Sequence, residues 1–206
     1  DTIANLLADL GLNEEAGRMW SDLARDLELR APDAHLAEVL VNRGVSVNLV
    51  GRAEEARADF ERALEILDGV GDRTSVLRGW ALYNLGQYHW GATAPKEGRE
   101  EELFRSAIAV LAPHGPSHQP ANAHYGLGRV LESRSEPEGA KSAFGAGIAV
   151  AEAAPGIART VAAGGYQQLS RVQTATQDFA GAEESIRRAM AVFEEFAGKE
   201  HRLTFE

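Results

Sequence analysis

Apolar, small and aromatic side chains recur along the chain with the spacing of an amphipathic helix. Within residues 82–111 they fall at i, i+3, i+4 and i+7 in two successive runs: Leu82, Leu85, Gly86 and His89, then Phe104, Ala107, Ile108 and Leu111. Glycine or proline separates the runs, at Gly51, Pro95 with Gly98, Pro137 and Gly181. The pattern predicts an all-α protein made of consecutive helix pairs.

These helix pairs repeat every 42 residues. The small residue after the first turn of each pair is Gly44, Gly86, Gly128 or Ser170. A bulky side chain follows at Phe60, Phe104, Phe144 or Ile186, the second unit carrying two extra residues in "GATAPKEG". The small residue lets the second helix pack closely, and the bulky one fills the gap between neighbouring units. The register therefore predicts a helical-repeat architecture.

We predict a single domain over residues 1–206. Its full repeats cover about residues 35–72, 73–116, 117–156 and 157–198. A partial repeat at residues 1–34 precedes them, and a further repeat starts at residues 199–206. The first residue is Asp rather than Met, and "HRLTFE" at the end begins a unit without completing it. We therefore expect an excerpt of a longer protein, with more repeats or another domain on one or both sides.

The repeat resembles the tetratricopeptide repeat. "LYNLG" at residues 82–86 is very similar to that family's consensus opening "WYNLG", and the Gly, Ala, Phe and Ala columns match its signature from about residue 35 to residue 198. Units of 42 residues resemble the longer kinesin-light-chain-type subclass. The fourth unit departs from the pattern at Ser170 and Ile186, and HEAT-like repeats share the period without these columns. The resemblance implies a right-handed superhelical solenoid of about four and a half helix-turn-helix repeats.

Composition and motifs argue against several functions. A net charge of -10 disfavours binding to nucleic acid or anionic lipid, and no apolar run is long enough for a membrane span. The chain has no Cys, no phosphate-binding loop and no nucleophile elbow. His114, His118 and His124 are spaced like loose zinc ligands, but they lie in or beside a Pro/Gly-rich loop without acidic residues. We expect no enzymatic activity, no cofactor and no metal.

Composition also bears on origin and location. Only three lysines accompany abundant Arg, Ala and Gly, which hints at a GC-rich bacterial genome. No basic segment followed by an apolar one marks a signal peptide. We therefore expect a bacterial, cytoplasmic protein.

Candidate binding residues follow from the resemblance, which implies that the first helices of successive units line a concave groove. An amide column runs through it, and in similar proteins an Asn two residues before the Gly binds the backbone of an extended peptide. Aromatic side chains, typical of binding hot spots, lie beside the amides, and two arginines could pair with a ligand carboxylate. The candidates are Asn42, Asn48, Tyr83, Asn84, Gln87, Trp90, Tyr125, Arg129, Gln168 and Arg171.

Three observations refine this set. The opposite side of the same helix in the second repeat is a core stripe, made of Leu82, Leu85, Gly86 and His89. Trp80 is undecided between packing and binding. The chaperone-tail clamp of the family needs a Lys one residue before the first groove Asn, and because Val41 stands there we do not expect capture of a chaperone C-terminus.

The leading functional prediction is a protein–protein interaction module that binds a peptide or a partner domain in the groove. The alternative is a sensor or scaffold arm of a larger bacterial regulatory protein, a nucleotide switch or a transcription regulator, whose groove contacts its own missing flanking domains. A third hypothesis is self-assembly through uncapped ends. No nucleic acid or membrane partner is expected for this segment.

Overall fold

The chain folds into paired α-helices. The structure, a computed structural model, describes residues 2–91 and 98–203, with side chains up to residue 196. The helices are α1 (Thr2–Asp9), α2 (Asn13–Glu28), α3 (Ala34–Leu49), α4 (Ala53–Gly69), α5 (Val76–Gly91), α6 (Arg99–Leu111), α7 (His118–Ser133), α8 (Pro137–Ala153), α9 (Val161–Ala175) and α10 (Phe179–Leu203). Short 3-10 turns lie at Ala112–His114 and Gly156–Thr160, and these described ranges contain no strand. The predicted all-α helical-repeat fold is confirmed.

Residues 1–110 and 111–206 form two compact units. The first unit contains α1 to α5 and most of α6, and the second contains α7 to α10. In the first unit α3 packs on α2 and α4, and α4 packs on α5. In the second unit α8 packs on both α7 and α9, and α9 packs on α10.

Glycine and phenylalanine meet inside each of the first three full repeats. A Cβ atom added at Gly44 would lie 2.6 Å from Cε1 of Phe60, and one at Gly86 would lie 3.0 Å from Cε1 of Phe104. At Gly128 the corresponding distance, to Cε1 of Phe144, is 2.5 Å. All three rings are fully buried. The small residue therefore lets the ring of the second helix lie directly on the backbone of the first.

In the first, third and fourth full repeats, whose turns the structure describes, the turn between the two helices contains a left-handed residue at a constant register. After α3, Gly51 has φ 85°, its N–H donates to the carbonyl of Asn48, and that of Arg52 donates to Val47, which is the Schellman arrangement. Ser135 and Gln177, each at φ 62°, occupy the same place after α7 and α9. These turns differ from the predicted breaks at Pro137 and Gly181, which lie in the first turns of α8 and α10. The predicted break at Pro95 lies outside the described residues.

The C-terminal helix is longer than the repeat pattern predicts. α10 continues to Leu203, through the start of the stretch where a linker and a further repeat are expected. One side of this helix exposes Ile186, Met190 and Phe193, each about half exposed. The corresponding positions of α8, one period earlier, are Phe144, Ile148 and Ala151, and all three are buried in a core cluster that includes residues of α9.

Candidate functional site

An aromatic and amide cluster lies on one face of α5. The rings of Trp80 and Tyr83 are stacked, with centroids 4.9 Å apart and planes inclined by 10°. Gln87 donates from Nε2 to the Tyr83 hydroxyl at 2.6 Å, and Asn84 donates from Nδ2 to the Trp80 carbonyl at 2.8 Å. All four side chains are half-buried. The spacing i, i+3, i+4, i+7 puts them on one face, and the two hydrogen bonds fix the orientation of the amides.

The opposite side of α5 packs into the protein, as the predicted core stripe requires. Leu82, Leu85 and Gly86 are buried there. His89 is half-buried with its ring edge-on to Tyr88, and burial lowers the pKa of its imidazole below the usual value. Leu82, Leu85 and Gly86 are therefore buried as predicted, whereas His89 is only half-buried. Trp90, three residues after Gln87 and so on the face of Tyr83, is also half-buried.

The neighbouring first helix, α3, contributes the remaining candidates of this unit. Asn42 is half-buried and Asn48 is exposed near the C-terminus of the helix. Val41, three residues after Glu38 and one before Asn42, has the helical spacing of a groove position, but it is fully buried and cannot contact a ligand.

The arginines closest in sequence to these amides are held by carboxylates of α4. Arg43 donates to Asp59 through Nε at 2.8 Å and also through Nη2. Asp59 is buried, which raises the pKa of its carboxyl group against the opposing effect of the arginine. Arg78 donates to Asp68 through Nη1 at 2.6 Å. Both positive charges are therefore compensated inside the unit.

The Arg43–Asp59 pair was missed from the sequence, although the repeat carries a signal for it. The positions equivalent to Arg43 are Leu85, Leu127 and Leu169, and those equivalent to Asp59 are Leu103, Ala143 and Ser185. In the first full repeat alone, an arginine and an aspartate replace the uncharged residues at these two positions. Comparison across the repeat would therefore have indicated a buried ion pair.

In the second unit the candidate residues form a polar cluster. Arg171 of α9 forms an ion pair with Glu132 of α7 and donates to Oε1 of Gln168 at 2.8 Å. Arg171 is exposed, while Arg129 and Gln168 are half-buried. The predicted ligand-pairing arginine thus already has an internal carboxylate partner, and a ligand would have to compete with it.

The prediction that Tyr125 lines a groove is wrong. Only 8% of this residue is exposed. Its ring lies against Gly147 of α8 and Gly165 of α9, so close that a Cβ added at either glycine would overlap it. The hydroxyl has no hydrogen-bond partner in the described part of the chain, and burial strongly raises its pKa. Tyr125 is a core residue that fills the space which these two glycines leave.

The histidines spaced like loose zinc ligands are His114, His118 and His124. Among the residues that the structure describes, no group of three His, Asp or Glu side chains is placed to hold a metal ion. Burial lowers the pKa of His124.

Within residues 2–91 and 98–203 no helix combines the length and the apolar composition that crossing a bilayer requires.

The geometry thus defines a helical-repeat protein whose paired helices carry a polar and aromatic face. Residues 35–97 match the family model described as "Tetratricopeptide repeat". No curated protein matches the sequence.

Solved structures share the fold over almost the whole chain. BtubC (BKLC) from P. vanneervenii superposes with a TM-score of 0.79 at 21% identity, covering 95% of this chain and 78% of its own. MamA gives 0.65 at 18% identity, with 95% and 97% covered. A putative kinesin light chain from Podosopora anserina, with nearly identical TPR-like repeats, gives 0.71 at 14% identity, with 95% and 93% covered.

These findings confirm the resemblance seen in the repeat columns. Residues 35–97 match the tetratricopeptide-repeat model, and the chain has the fold of tetratricopeptide-like helical-repeat proteins, kinesin-light-chain-type repeats among them. Repeats of this family generally serve as scaffolds for protein–protein interaction, and they are typically not enzymes.

Proposed function

We propose that this protein is an interaction module that binds an extended peptide segment of a partner protein on the first helices of its repeats, with α5 as the principal contact. The observation that carries the proposal is the cluster of Trp80, Tyr83, Asn84 and Gln87 on one face of α5. Arg129, Arg171 and Gln168 are separate candidate contacts on the second unit. The absence of Cys and the scarcity of Lys support a bacterial, cytoplasmic setting.

The chemistry of the cluster suits peptide binding. A primary amide has two N–H donors and one acceptor oxygen, so the bond from Asn84 to Trp80 leaves capacity for a peptide N–H and a peptide C=O. The stacked rings offer a large, rigid apolar area, and aromatic residues of this kind dominate measured binding hot spots. Backbone bonds from the amide would supply affinity, and the rings would select the side chains of the ligand.

Selection from a random peptide library on the folded protein tests this proposal. We expect selected peptides to change the tryptophan emission, because Trp80 and Trp90 are half-buried whereas Trp20 is sealed in the core. Asn84→Ala and Trp90→Ala should each weaken binding by at least about 1 kcal/mol, roughly fivefold in Kd by calorimetry.

Tyr88→Ala is the matched control, since Tyr88 lies on the same helix but bonds to Glu54 of α4 at 2.5 Å. Circular dichroism checks that each variant remains helical. Peptides that bind Asn84→Ala and Trp90→Ala as tightly as they bind the unchanged protein would refute a binding role for this face.

A further inference from the structure

The first helices of the first unit present a surface almost without formal charge. Residues 79–91 of α5 contain no Asp, Glu, Lys or Arg, and neither do residues 44–51 at the end of α3. By helical spacing Glu38, four residues before Asn42, lies on the same face of α3, and it is the single charged residue on that face and on the aromatic face of α5. This neutrality is unusual for a chain in which 25% of residues are charged and the net charge is -10.

Internal pairing preserves the neutral character of this surface. Arg43 adjoins Asn42 in sequence, but its Nε and Nη2 both donate to the buried carboxylate of Asp59. Arg78 lies two residues before Trp80, and its guanidinium bonds to Asp68 and to the carbonyl of Asp72. Neither cation is directed to a ligand on the aromatic face.

The second unit differs in the equivalent positions. Its stripe includes Arg129, Glu132 and Arg171, and the last two form an ion pair between α7 and α9. The two units therefore offer different chemistry to a ligand: neutral and aromatic in the first, and charged in the second.

A charged ligand would lose hydration on the α5 face without gaining a partner of opposite charge, which is costly. The ring of Trp80, held in place by its stack on Tyr83, is a rigid apolar platform against which the pyrrolidine ring of proline can pack. Proline also holds a peptide extended before binding and so reduces the entropy that binding costs, and its carbonyl accepts hydrogen bonds from amide and indole N–H groups. The half-buried amides Asn84 and Gln87 lie on the same face.

We infer that the α5 face binds an uncharged, proline-containing segment of a partner protein in an extended conformation. This inference rests on the proposed function, because it names the class of peptide that the interaction module takes.

Four synthetic peptides, each of about nine residues and blocked at both ends, test it by calorimetry and tryptophan fluorescence. In the first, proline alternates with alanine and leucine. In the second and third, two alanines are replaced by glutamate or by lysine. In the fourth, alanine replaces every proline. We expect the first peptide to bind, the charged peptides to bind at least about tenfold more weakly, and the proline-free peptide at least about threefold more weakly.

Protein variants locate the contact. Trp80→Ala should weaken binding of the neutral peptide at least about fivefold. Trp80→Phe keeps a ring on Tyr83 and should retain most of the affinity, so it distinguishes a lost platform from a disturbed fold. Tyr88→Ala again serves as the control, because the Tyr88 hydroxyl is already bonded to Glu54 of α4.

Each alternative result is informative. Tighter binding of the glutamate or lysine peptide would overturn the inference, and if Asn84→Ala abolished that binding the proposed function would stand. Equal affinity of the unchanged protein and Trp80→Ala for the neutral peptide would also overturn it. The inference would also be overturned if none of the four peptides bound at concentrations up to about 1 mM. In that case the library selection would still test the proposed function.

Discussion

Replacing Gly128 by alanine will destabilise the second unit, although alanine is the better helix former. The new methyl group would lie 2.5, 2.7 and 2.8 Å from three carbons of the Phe144 ring. Carbon atoms in packed cores prefer separations of about 3.5–4.0 Å, so the ring must move by about 1 Å. Phe144 is fully buried among residues of α7, α8 and α9 and has no free space into which to move.

Two opposing contributions set the size of this effect. Overpacking a well-filled core costs about 1–3 kcal/mol, whereas alanine in place of glycine in a helix gains about 1 kcal/mol. We therefore expect Gly128→Ala to lower the free energy of unfolding by up to about 2 kcal/mol. Gly44→Ala, with a nearest approach of 2.6 Å to Phe60, should have a similar effect. Gly86→Ala, with 3.0 Å to Phe104, should be close to neutral.

The matched control is Gly145→Ala on α8, where an added Cβ meets no atom within 4 Å. This variant should gain stability by about 0.5–1 kcal/mol. Urea unfolding followed by circular dichroism at the helix band is the suitable assay, because all three tryptophans lie in the first unit and do not report on the second.

A double-mutant cycle isolates the contact itself. In a Phe144→Leu background the ring is gone, so Gly128→Ala should cost at least about 1 kcal/mol less than in the unchanged protein. If Gly128→Ala were as stable as Gly145→Ala, or if its cost were the same with and without the ring, the steric explanation of the Gly–Phe column would be refuted.

Four further predictions concern the polar and buried groups. Asp59→Asn should cost about 2–3 kcal/mol in urea unfolding, because it leaves Arg43 in a partly buried site without its carboxylate, whereas Arg43→Leu with Asp59→Ala should be nearly neutral. Ser135→Gly should raise the unfolding free energy by up to about 1 kcal/mol by relieving a left-handed backbone, and Ser133→Gly in the adjacent helix should lower it. Tyr125→Phe should leave stability unchanged or raise it by up to about 1 kcal/mol; a clear loss would reveal a bonded hydroxyl. Burial lowers the pKa of His124, so the unfolded chain binds the proton more readily, and stability should fall as the pH drops from about 7.5 to about 5.5; His124→Gln should reduce that fall in the urea midpoint.

Much of the fold could be predicted because the same glycine–phenylalanine contact between two helices recurs in several repeats. Gly44 and Phe60 alone would be a weak signal, but the same pair returns at Gly128 and Phe144 with an identical separation. Helical spacing then assigns the two faces of α5, and the structure shows the buried and half-buried sides as expected.

Depth of burial could not be predicted from helical spacing alone. Tyr125 has the angular position of a groove residue, yet neighbouring helices decide whether that direction leads to solvent. A signal was present in Gly147, which stands where other units carry Ala63 and Ala189, and in Gly165. Glycines opposite one another on facing helices leave room for a large ring, and that room is a property of three helices together.

Ion pairing was the other feature beyond the repeat pattern. Helical spacing places Arg171 of α9 on the side predicted to face a ligand. The spacing does not show that Glu132 of α7 forms an ion pair with it. A long charged side chain can reach several groups of opposite charge. Which of them it pairs with depends on distances between helices that the sequence does not specify.

The half-exposed stripe of α10 has a consequence for protein engineering. Ile186 and Phe144 share one column of the repeat, yet 50% of Ile186 is exposed and Phe144 is fully buried. A consensus sequence averaged over the repeats would assign one apolar residue to both places, although within these 206 residues a polar replacement should cost less at Ile186 than at Phe144. Any library that diversifies this protein should therefore treat its last described repeat as a separate class of positions.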